Sequence, residues 1–172
     1  MNKQVIESKS YEILRAITAT HIQAVRSLME EYATDIGLDL CFQNFADELA
    51  ALPGDYAAPH GCLLLARSED QWAGCVALRP LPDVTGDTGT SGCCEMKRLF
   101  VPARFRSRGL GRMLAQAIIS QARAIGCTQM KLDTVEALTA ANRLYRSLGF
   151  EPIAPYCHNP FADARFFGLS LS

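Results

Sequence analysis

The chain has 172 residues, of which 49% are hydrophobic and 20% are charged, and its formal net charge is −1. A chain of this length can bury a sizeable core, so we predict a single domain over residues 1–172. No apolar run approaches the roughly 20 residues needed to cross a bilayer, and the N-terminus has no signal-peptide pattern. We therefore expect no membrane partner.

The cysteines and histidines do not form the pattern of a metal site. Seven cysteines include no CxxC pair, and His21, His60 and His158 are scattered. An odd number of cysteines without paired spacing indicates free thiols rather than a disulfide framework. We expect reduced, mostly buried cysteines, a cytoplasmic location and no metal.

The small net charge hides an asymmetry between the two halves of the chain. Residues 1–95 carry 14 acidic and 6 basic residues, whereas residues 96–172 carry 4 acidic and 11 basic ones. Basic segments can indicate nucleic-acid binding. Here the basic residues surround a glycine loop and lack interleaved exposed aromatics, which favours a compact polyphosphate and predicts no nucleic-acid partner. The acidic residues Glu30, Glu31 and Asp35 are expected on an exposed helix face.

Apolar periodicity predicts strands and helices that alternate along the chain. A strand at Tyr11–Ala16 precedes a helix that Thr18 or Thr20 caps and that ends near Ile36. The remaining expected elements are a helix at Cys41–Leu52, a hairpin of Cys62–Arg67 and Trp72–Arg79, a loop at 80–92, a strand at Cys94–Val101, a helix from near Gly109, a strand at Thr128–Asp133, a helix at Leu138–Leu148, and strands near Glu151–Tyr156 and Ala164–Leu171.

The segment Arg106-Ser107-Arg108-Gly109-Leu110-Gly111 joins a predicted strand to a predicted helix. The backbone N–H groups at a helix start have no helical acceptors and lie at the positive end of the helix dipole, so this loop predicts a phosphate or pyrophosphate site. A Walker loop would need a lysine and a hydroxyl residue after Gly111, and a dinucleotide fingerprint would need a third glycine. Neither pattern is present.

Two motifs identify a family resemblance. Arg106-x-x-Gly109-x-Gly111 matches the Arg/Gln-x-x-Gly-x-Gly/Ala signature of the GCN5-related N-acetyltransferases, and Asn142-x-x-Tyr145-x-x-Leu148-Gly149-Phe150 matches a second motif downstream. The chain resembles a small bacterial-type member. The resemblance implies an α/β (α+β) fold with a mixed, mostly antiparallel sheet of about seven strands, helices on both faces, and a splay between the fourth and fifth strands.

The resemblance also implies acetyl-CoA as co-substrate and an amine as acceptor. In such folds the cofactor's pantetheine arm pairs with the backbone of the fourth strand, here Leu99, Phe100 and Val101. Asn142 would hydrogen-bond the cofactor. The pyrophosphate would bind the loop and first helical turn, which comprise Arg106, Ser107, Arg108, Gly109, Leu110, Gly111 and Arg112.

Two residues are the predicted catalytic groups. Glu95 is the expected general base, because the family often carries a carboxylate at this place on the fourth strand and an amine must lose a proton before it attacks. Strand alternation is expected to put Cys93, Glu95, Lys97 and Leu99 on one face, and Cys94, Met96 and Arg98 on the other. By resemblance, Tyr145 is the general acid that protonates the leaving thiolate. A surface glutamate paired with Lys97 or Arg98, and a core tyrosine, are the structural alternatives.

Several alternatives stay open at this point. An acyl-cysteine route through Cys93 or Cys94 competes with direct transfer in a ternary complex, although no histidine lies nearby in the sequence to activate either thiol. A catalytically silent acyl-CoA-binding sensor domain competes with an enzyme. The resemblance implies that acceptor specificity lies in residues 27–60, 80–92 and 153–168, and leaves the acceptor unidentified and a homodimer open.

Overall fold

The structure, a computed structural model, describes residues 11–82 and 92–172. Within these residues one mixed sheet of seven strands has the order β1-β2-β3-β4-β5-β7-β6. Neighbouring strands are antiparallel except β4 and β5, which are parallel. The strands are β1 Tyr11–Arg15, β2 Cys62–Ser68, β3 Gln71–Pro80, β4 Cys93–Phe100, β5 Gln129–Val135, β6 Glu151–Pro152 and β7 Ala164–Ser170.

Four α-helices connect these strands, and their ends follow capping chemistry. Helix α1 (Ala19–Ile36) begins where the Thr18 side chain accepts a hydrogen bond from the His21 N–H, and it ends at Gly37 with φ 63°. The predicted helix at Cys41–Leu52 is interrupted at Asn44, which has φ 53° and separates a 3-10 turn at Cys41–Gln43 from α2 (Phe45–Ala51). Helices α3 (Leu110–Ile125) and α4 (Thr139–Ser147) lie within a residue or two of their predicted bounds.

The helices cover both faces of the sheet, as predicted. On one face, Val25 and Met29 of α1 pack on Leu65 of β2 and Ala77 of β3. On the other face, residues of α3 and α4, with Leu114 and Tyr145 among them, pack on β2–β5 and β7. The central strands β2 and β3 therefore have two buried faces, which explains their nearly continuous apolar sequence.

The splay between β4 and β5 is present where the family resemblance puts it. Their parallel ladder runs from Cys93↔Gln129 to Glu95↔Lys131, yet β4 continues to Phe100 and β5 continues to Val135. Beyond Glu95 the two strands diverge and leave backbone of β4 without a strand partner on that side. This opening is where a site can be built through the sheet.

A β-bulge in β4 reverses the side-chain alternation that the sequence predicts. Cys75 pairs with Phe100 and Ala77 pairs with Lys97, so β4 has one more residue than β3 between these pairs. Arg98 has φ 56° at this position. Its guanidinium lies with Glu48 of α2 on the α1–α2 face, together with Glu95 and Lys97, and Leu99 packs against the α3 side. The expected faces of Arg98 and Leu99 were therefore wrong.

Ion pairs between the acidic and basic halves of the chain explain much of its charge asymmetry. Arg104 pairs with Glu31 at 2.8 Å and Arg106 pairs with Asp35 at 2.5 Å, which joins α1 to the segment before α3. The acids on α1 were expected on an exposed helix face, and the side chains of Glu31 and Asp35 are 41% and 36% exposed there while they form these ion pairs. Among the described residues, no helix combines the length and apolar character that a membrane span requires.

All seven cysteines lie in the described residues and are free thiols. Three of them, Cys62, Cys75 and Cys94, are buried, whereas Cys41 and Cys157 are exposed. The expectation of mostly buried thiols holds for these three only, since Cys93 and Cys127 are partly exposed.

Candidate active site

The predicted pyrophosphate loop forms the N-terminus of α3. Gly109 is the residue before the helix and adopts φ 78°, a left-handed conformation that favours glycine. The Met113 N–H donates to the Gly109 carbonyl at 3.1 Å and makes the first hydrogen bond of the helix. The N–H groups of Leu110, Gly111 and Arg112 therefore have no acceptor within the helix and are available to an anion.

Gly111 is glycine for a reason other than the protein's own packing. An added Cβ would meet Leu144 Cδ2 at 3.7 Å and Val101 Cγ2 at 4.0 Å, which are ordinary contacts. Alanine there would also favour the helix by about 1 kcal/mol. Neither packing nor backbone conformation requires glycine, so the missing side chain leaves space for a ligand that approaches the helix backbone. The residues at this end of α3 thus fit a pyrophosphate group.

Arginine side chains of this segment are used largely within the protein. Arg106 Nε donates to the Val101 carbonyl at 2.8 Å, and its Nη2 reaches Asp35. The Arg106 N–H donates to the Ala103 carbonyl, and Arg112 Nη2 donates to Ser147 Oγ at 2.7 Å. The Arg106 side chain therefore stabilises the loop through contacts within the protein. Direct contacts of Arg106, Ser107, Arg108 and Arg112 with a cofactor stay predictions.

The second motif lies beside the splay. Asn142 Nδ2 donates to the carbonyls of Val135 and Glu136, which fixes the turn between β5 and α4. Its Oδ1 is buried without a hydrogen-bond partner in the described part of the chain. Such an atom is costly to leave unsatisfied, so it fits an N–H donor from a ligand. Cofactor binding by Asn142 stays a prediction.

A cavity of about 80 Å³ passes through the sheet at the splay. The α1–α2 segment contributes residues such as Tyr32 and Gln43, whereas α4 contributes Leu138, Ala141 and Tyr145 from the opposite face. Strands β4 and β5 form its sides through Met96–Leu99 and Asp133–Val135, and Asn159 and Phe161 close it. A site lined from both faces of the sheet suits a reaction between two ligands that approach from opposite sides.

Tyr145 lies at the meeting point of the two faces. It is 8% exposed, its ring packs edge-on against Phe150, and it lines the cavity. Burial, with smaller contributions from Tyr32 and Asp133, raises the pKa of its phenol above the ordinary value. The hydroxyl therefore stays protonated over the physiological pH range, as a proton donor must.

Glu95 is buried in a network of hydrogen bonds. Its carboxylate is 1% exposed, Arg79 Nε donates to Oε2 at 2.7 Å, and the Tyr156 hydroxyl donates to Oε1 at 2.7 Å. Lys97 Nζ lies 3.6 Å from Oε1. Glu95 does not line the cavity. The structural alternative that paired Glu95 with Lys97 is thus partly realised, and the role of Glu95 as base stays a prediction.

Sequence reasoning missed Asp133. This carboxylate on β5 lines the cavity and accepts hydrogen bonds from Asn159 Nδ2 at 3.0 Å, Gln43 Nε2 at 3.3 Å and Lys97 Nζ at 3.4 Å. The signal available in the sequence was an acidic residue at the end of the predicted strand that follows the fourth strand in the sheet. Its partners come from segments far apart in the chain, so spacing could not reveal them.

Of the segments that were predicted to determine acceptor specificity, the part at residues 83–91 lies outside the described residues.

The cysteines that could form an acyl-enzyme are poorly suited to it. Burial raises the pKa of the Cys94 thiol, which donates to the Gln129 carbonyl at 3.5 Å. Burial also raises the pKa of Cys93. Neither thiol lines the cavity. These features favour direct transfer over the acyl-cysteine route, because the thiolate is the nucleophilic form.

Three groups approach one another closely enough to suggest metal binding. One ligand atom each of Glu95, Asp133 and Cys157 lies within 4.8 Å of the others. Lys97 Nζ lies between the two carboxylates, 3.6 Å from Glu95 Oε1 and 3.4 Å from Asp133 Oδ1. This ammonium already supplies the positive charge that a metal would contribute. The absence of a metal stays a prediction.

The fold and the site define an acetyltransferase. A profile of the acetyltransferase (GNAT) family matches residues 22–150, which include both sequence motifs and the strands of the splay. The chain belongs to this family. The predicted fold is confirmed, and so is the prediction of an acetyl-CoA-dependent N-acetyltransferase, at the level of enzyme class.

Similar proteins agree with this assignment. An uncharacterized N-acetyltransferase of Schizosaccharomyces pombe is 43% identical over 148 residues, which cover 86% of each chain. A Staphylococcus aureus acetyltransferase of the GNAT family superposes with a TM-score of 0.75 at 18% identity, covering 95% of this chain and 100% of that one. The Salmonella typhimurium yncA structure, described with its cofactor acetyl-CoA, superposes with a TM-score of 0.66 at 20% identity and covers 94% of each chain.

Proposed function

We propose that this protein transfers the acetyl group of acetyl-CoA directly to a primary amine while both are bound. The cavity at the splay is the observation that carries this proposal, because Tyr145 and α4 line it from one face of the sheet and the α1–α2 segment lines it from the other. Two substrates can meet there without a covalent enzyme intermediate. The raised pKa values of the Cys93 and Cys94 thiols support the same route, because they disfavour the nucleophilic thiolate.

The cofactor is proposed to bind on the α3–α4 side. The free N–H groups of Leu110, Gly111 and Arg112 would hold the pyrophosphate, and the space beside Gly111 would admit it. Asn142 Oδ1 would accept an N–H from the pantetheine arm, and the backbone of Leu99 and Phe100 would pair with that arm. Since the Val101 carbonyl already accepts from Arg106, its predicted pairing requires that this hydrogen bond be shared or replaced. The cofactor supplies an activated acetyl group as a thioester.

Tyr145 is proposed as the general acid. Transfer releases a thiolate, and a nearby phenol can donate a proton to it. Burial raises the pKa of Tyr145, so the phenol is protonated when it is needed. Glu95, which the sequence predicts as the base, is held by Arg79 and Tyr156 and does not border the cavity, so we propose that it orders the hydrogen-bond network beside the cavity and does not itself take the amine proton.

The test is a turnover assay with acetyl-CoA and a panel of primary amines. The released CoA should be separated by chromatography before it is quantified, because the exposed thiols of Cys41 and Cys157 would also react with a thiol reagent. The acetylated amine should be identified by its mass. We expect amine-dependent release with matching product. Tight acetyl-CoA binding without release for any amine would favour the silent sensor domain instead. A cytoplasmic location and a homodimer remain proposals that this assay does not address.

A further inference from the structure

The two carboxylates near the splay differ in their access to the cavity. Glu95 is held by Arg79 and Tyr156 and does not border the cavity, whereas Asp133 does. Both are nearly inaccessible to solvent from outside, with side-chain exposures of 1% and 6%. A ligand in the cavity would therefore meet Asp133 and not Glu95.

Hydrogen-bond acceptors without partners lie beside Asp133. Gln43 donates its Nε2 to Asp133 Oδ2, and its Oε1 is buried with no partner among the described residues. Thr134, which is 8% exposed and lines the same cavity, has a buried Oγ1 that likewise lacks a partner there. Unsatisfied buried atoms of this kind are uncommon, and a carboxylate beside an amide oxygen suits an ammonium group.

The basic side chains that line the cavity are already paired. Lys97 lies between Glu95 and Asp133, and Arg98 donates to both oxygens of Glu48 at 3.0 and 2.6 Å. The sequence 83–91, outside the described residues, contains no lysine, arginine or histidine. A carboxylate on the ligand would find no unpaired cation among these lining residues. Burying an unpaired negative charge there would cost free energy. The other lining residues are mostly apolar: Ile36, Leu38, Leu40, Leu99, Leu138 and Phe161.

We propose that Asp133 and Gln43 form the acceptor subsite and that Asp133 takes the proton from the acceptor's ammonium group. The acceptor is then a primary amine with an apolar body and no carboxylate next to the amine. This inference rests on the proposed function in taking the cavity's second ligand to be the acceptor. Asn159 positions Asp133 through its hydrogen bond to Oδ2.

The proton and electron pairs balance without another reactant. The ammonium gives one proton to the Asp133 carboxylate, and the amine lone pair then forms the new nitrogen–carbon bond to the acetyl carbonyl. The carbon–sulfur bond breaks, and the sulfur takes a proton from Tyr145. The second proton on the attacking nitrogen is lost as the amide forms, and it replaces the proton that Tyr145 has donated. Asp133 releases its proton to water when the products leave, so one proton is released for each ammonium group acetylated.

Four groups near Asp133 have pKa values above their ordinary values. Burial raises the pKa of Tyr32, Tyr145 and Tyr156, and burial together with Asp133 and Glu95 raises that of Cys157 to about 11. The charged neighbours are Lys97 and Glu95. These tyrosines and Cys157 therefore stay protonated near neutral pH and do not shape a pH profile measured there.

The first test compares Asp133→Asn with Glu95→Gln, two changes that each remove one carboxylate charge from the same network. For 3-methylbutylamine at pH 7, we expect Asp133→Asn to lower kcat/KM about 100-fold, with recovery in alkaline buffer where the amine loses its own proton. Glu95→Gln should cost less than about tenfold and keep the wild-type profile. An Asp133→Asn profile that overlays wild type, or a Glu95→Gln profile with the steep recovery, would overturn the assignment.

The second test compares three acceptors with one apolar body: 3-methylbutylamine, leucinamide and leucine. They differ at the α-carbon by a hydrogen, a neutral amide and a carboxylate, so the amide controls for size. After correction for the free-amine fraction, we expect leucine to have a kcat/KM at least tenfold below leucinamide, the equivalent of about 1.4 kcal/mol. Leucine equal to or better than leucinamide would overturn the proposed acceptor class.

Binding to the enzyme–CoA complex separates this inference from the proposed function. Calorimetry should show that 3-methylbutylamine binds wild type, and that Gln43→Met weakens this binding while the unfolding transition and CoA affinity are unchanged. Gln43 is partly exposed, so this variant should fold even if Asp133→Asn does not. Binding that depends on Gln43 without any turnover would support the subsite and contradict the transferase. Turnover and binding that are both insensitive to Gln43 would contradict the subsite alone.

Discussion

The two sides of the splay are built from different parts of the polypeptide. On the α3–α4 side, the proposed cofactor side, the α3 N-terminus offers backbone N–H groups, and Gly109 and Gly111 contribute by having no side chain. On the α1–α2 side, the proposed acceptor side, the available groups are buried side chains, with Glu95, Lys97 and Asp133 in one connected network. Backbone donors suit a ligand that a whole family shares, whereas side chains can vary to suit one acceptor.

This difference has a physical consequence for how each side is stabilised. The N–H groups at the helix N-terminus have no acceptor within the helix. This costs little free energy, because they can donate to water. Buried charges have no such alternative and must be neutralised within the protein. Arg98 is accordingly paired with Glu48, stacked over the Phe45 ring at 5.0 Å, and held at the β4 bulge. The charged groups on the acceptor side therefore also contribute to the stability of the fold.

The largest expected effect lies where the two sides meet. Tyr145→Phe should lower kcat by roughly 100-fold or more while acetyl-CoA affinity and amine KM change little, because only the donated proton is lost. Steady-state kinetics and calorimetry would measure these separately. Tyr11→Phe is the control, since the Tyr11 hydroxyl is buried without a partner in the described structure and contributes no hydrogen bond there. A fully active Tyr145→Phe variant would show that Tyr145 contributes to core packing and not to catalysis.

A change confined to the cofactor side should leave the acceptor side intact. Gly109→Asp places a negative charge beside the phosphate donors and should weaken acetyl-CoA binding about 10- to 100-fold, which is the loss of one charge-assisted hydrogen bond. Gly126→Asp at the opposite end of α3 is the matched control, because that glycine is also left-handed, with φ 99°, and has equally open surroundings. Equal affinities in the two folded variants, measured by calorimetry, would remove the pyrophosphate site from this loop.

The smallest expected effect is a stability difference on the acceptor side. Burial opposes ionisation of Glu48, but hydrogen bonds and charge from Arg98 outweigh it and lower the pKa of this carboxyl below 4.5. Its stabilisation is therefore complete above pH 4.5 and is lost as the pH falls through the lower, folded-state pKa. We expect Glu48→Gln to cost about 2 kcal/mol at pH 7, and the difference from wild type to shrink in acid.

Urea unfolding at several pH values would measure this difference. Glu12→Gln is the control, since Glu12 pairs with Arg67 on the surface, where both side chains are about half exposed, and such pairs contribute at most about 1 kcal/mol. A Glu48→Gln penalty that is no larger than this, or that does not change with pH, would mean that the buried pair does not stabilise the acceptor side. Acetyl-CoA affinity should be unaffected in both variants.

The prediction from sequence was most successful where a feature depends on neighbours in the chain. The order of strands and helices, the glycine loop and the Asn142–Tyr145 motif are local patterns, and the structure has them within a few residues of their expected positions. The errors arose where backbone conformation departs from regular periodicity. A left-handed Asn44 divided the second helix, and the bulge at Arg98 exchanged the faces of Arg98 and Leu99.

By itself, then, the sequence determined the family resemblance, the fold class and the candidate cofactor loop, because repeating apolar residues and a short glycine motif encode them locally. Only the tertiary structure decided that Glu95 is enclosed while Asp133 borders the cavity, and that the acids of α1 pair with Arg104 and Arg106. Asp133 meets Gln43, Lys97 and Asn159 from three other segments. Such contacts depend on how strands diverge and which faces are buried, and these are properties of the packed sheet rather than of spacing along the chain.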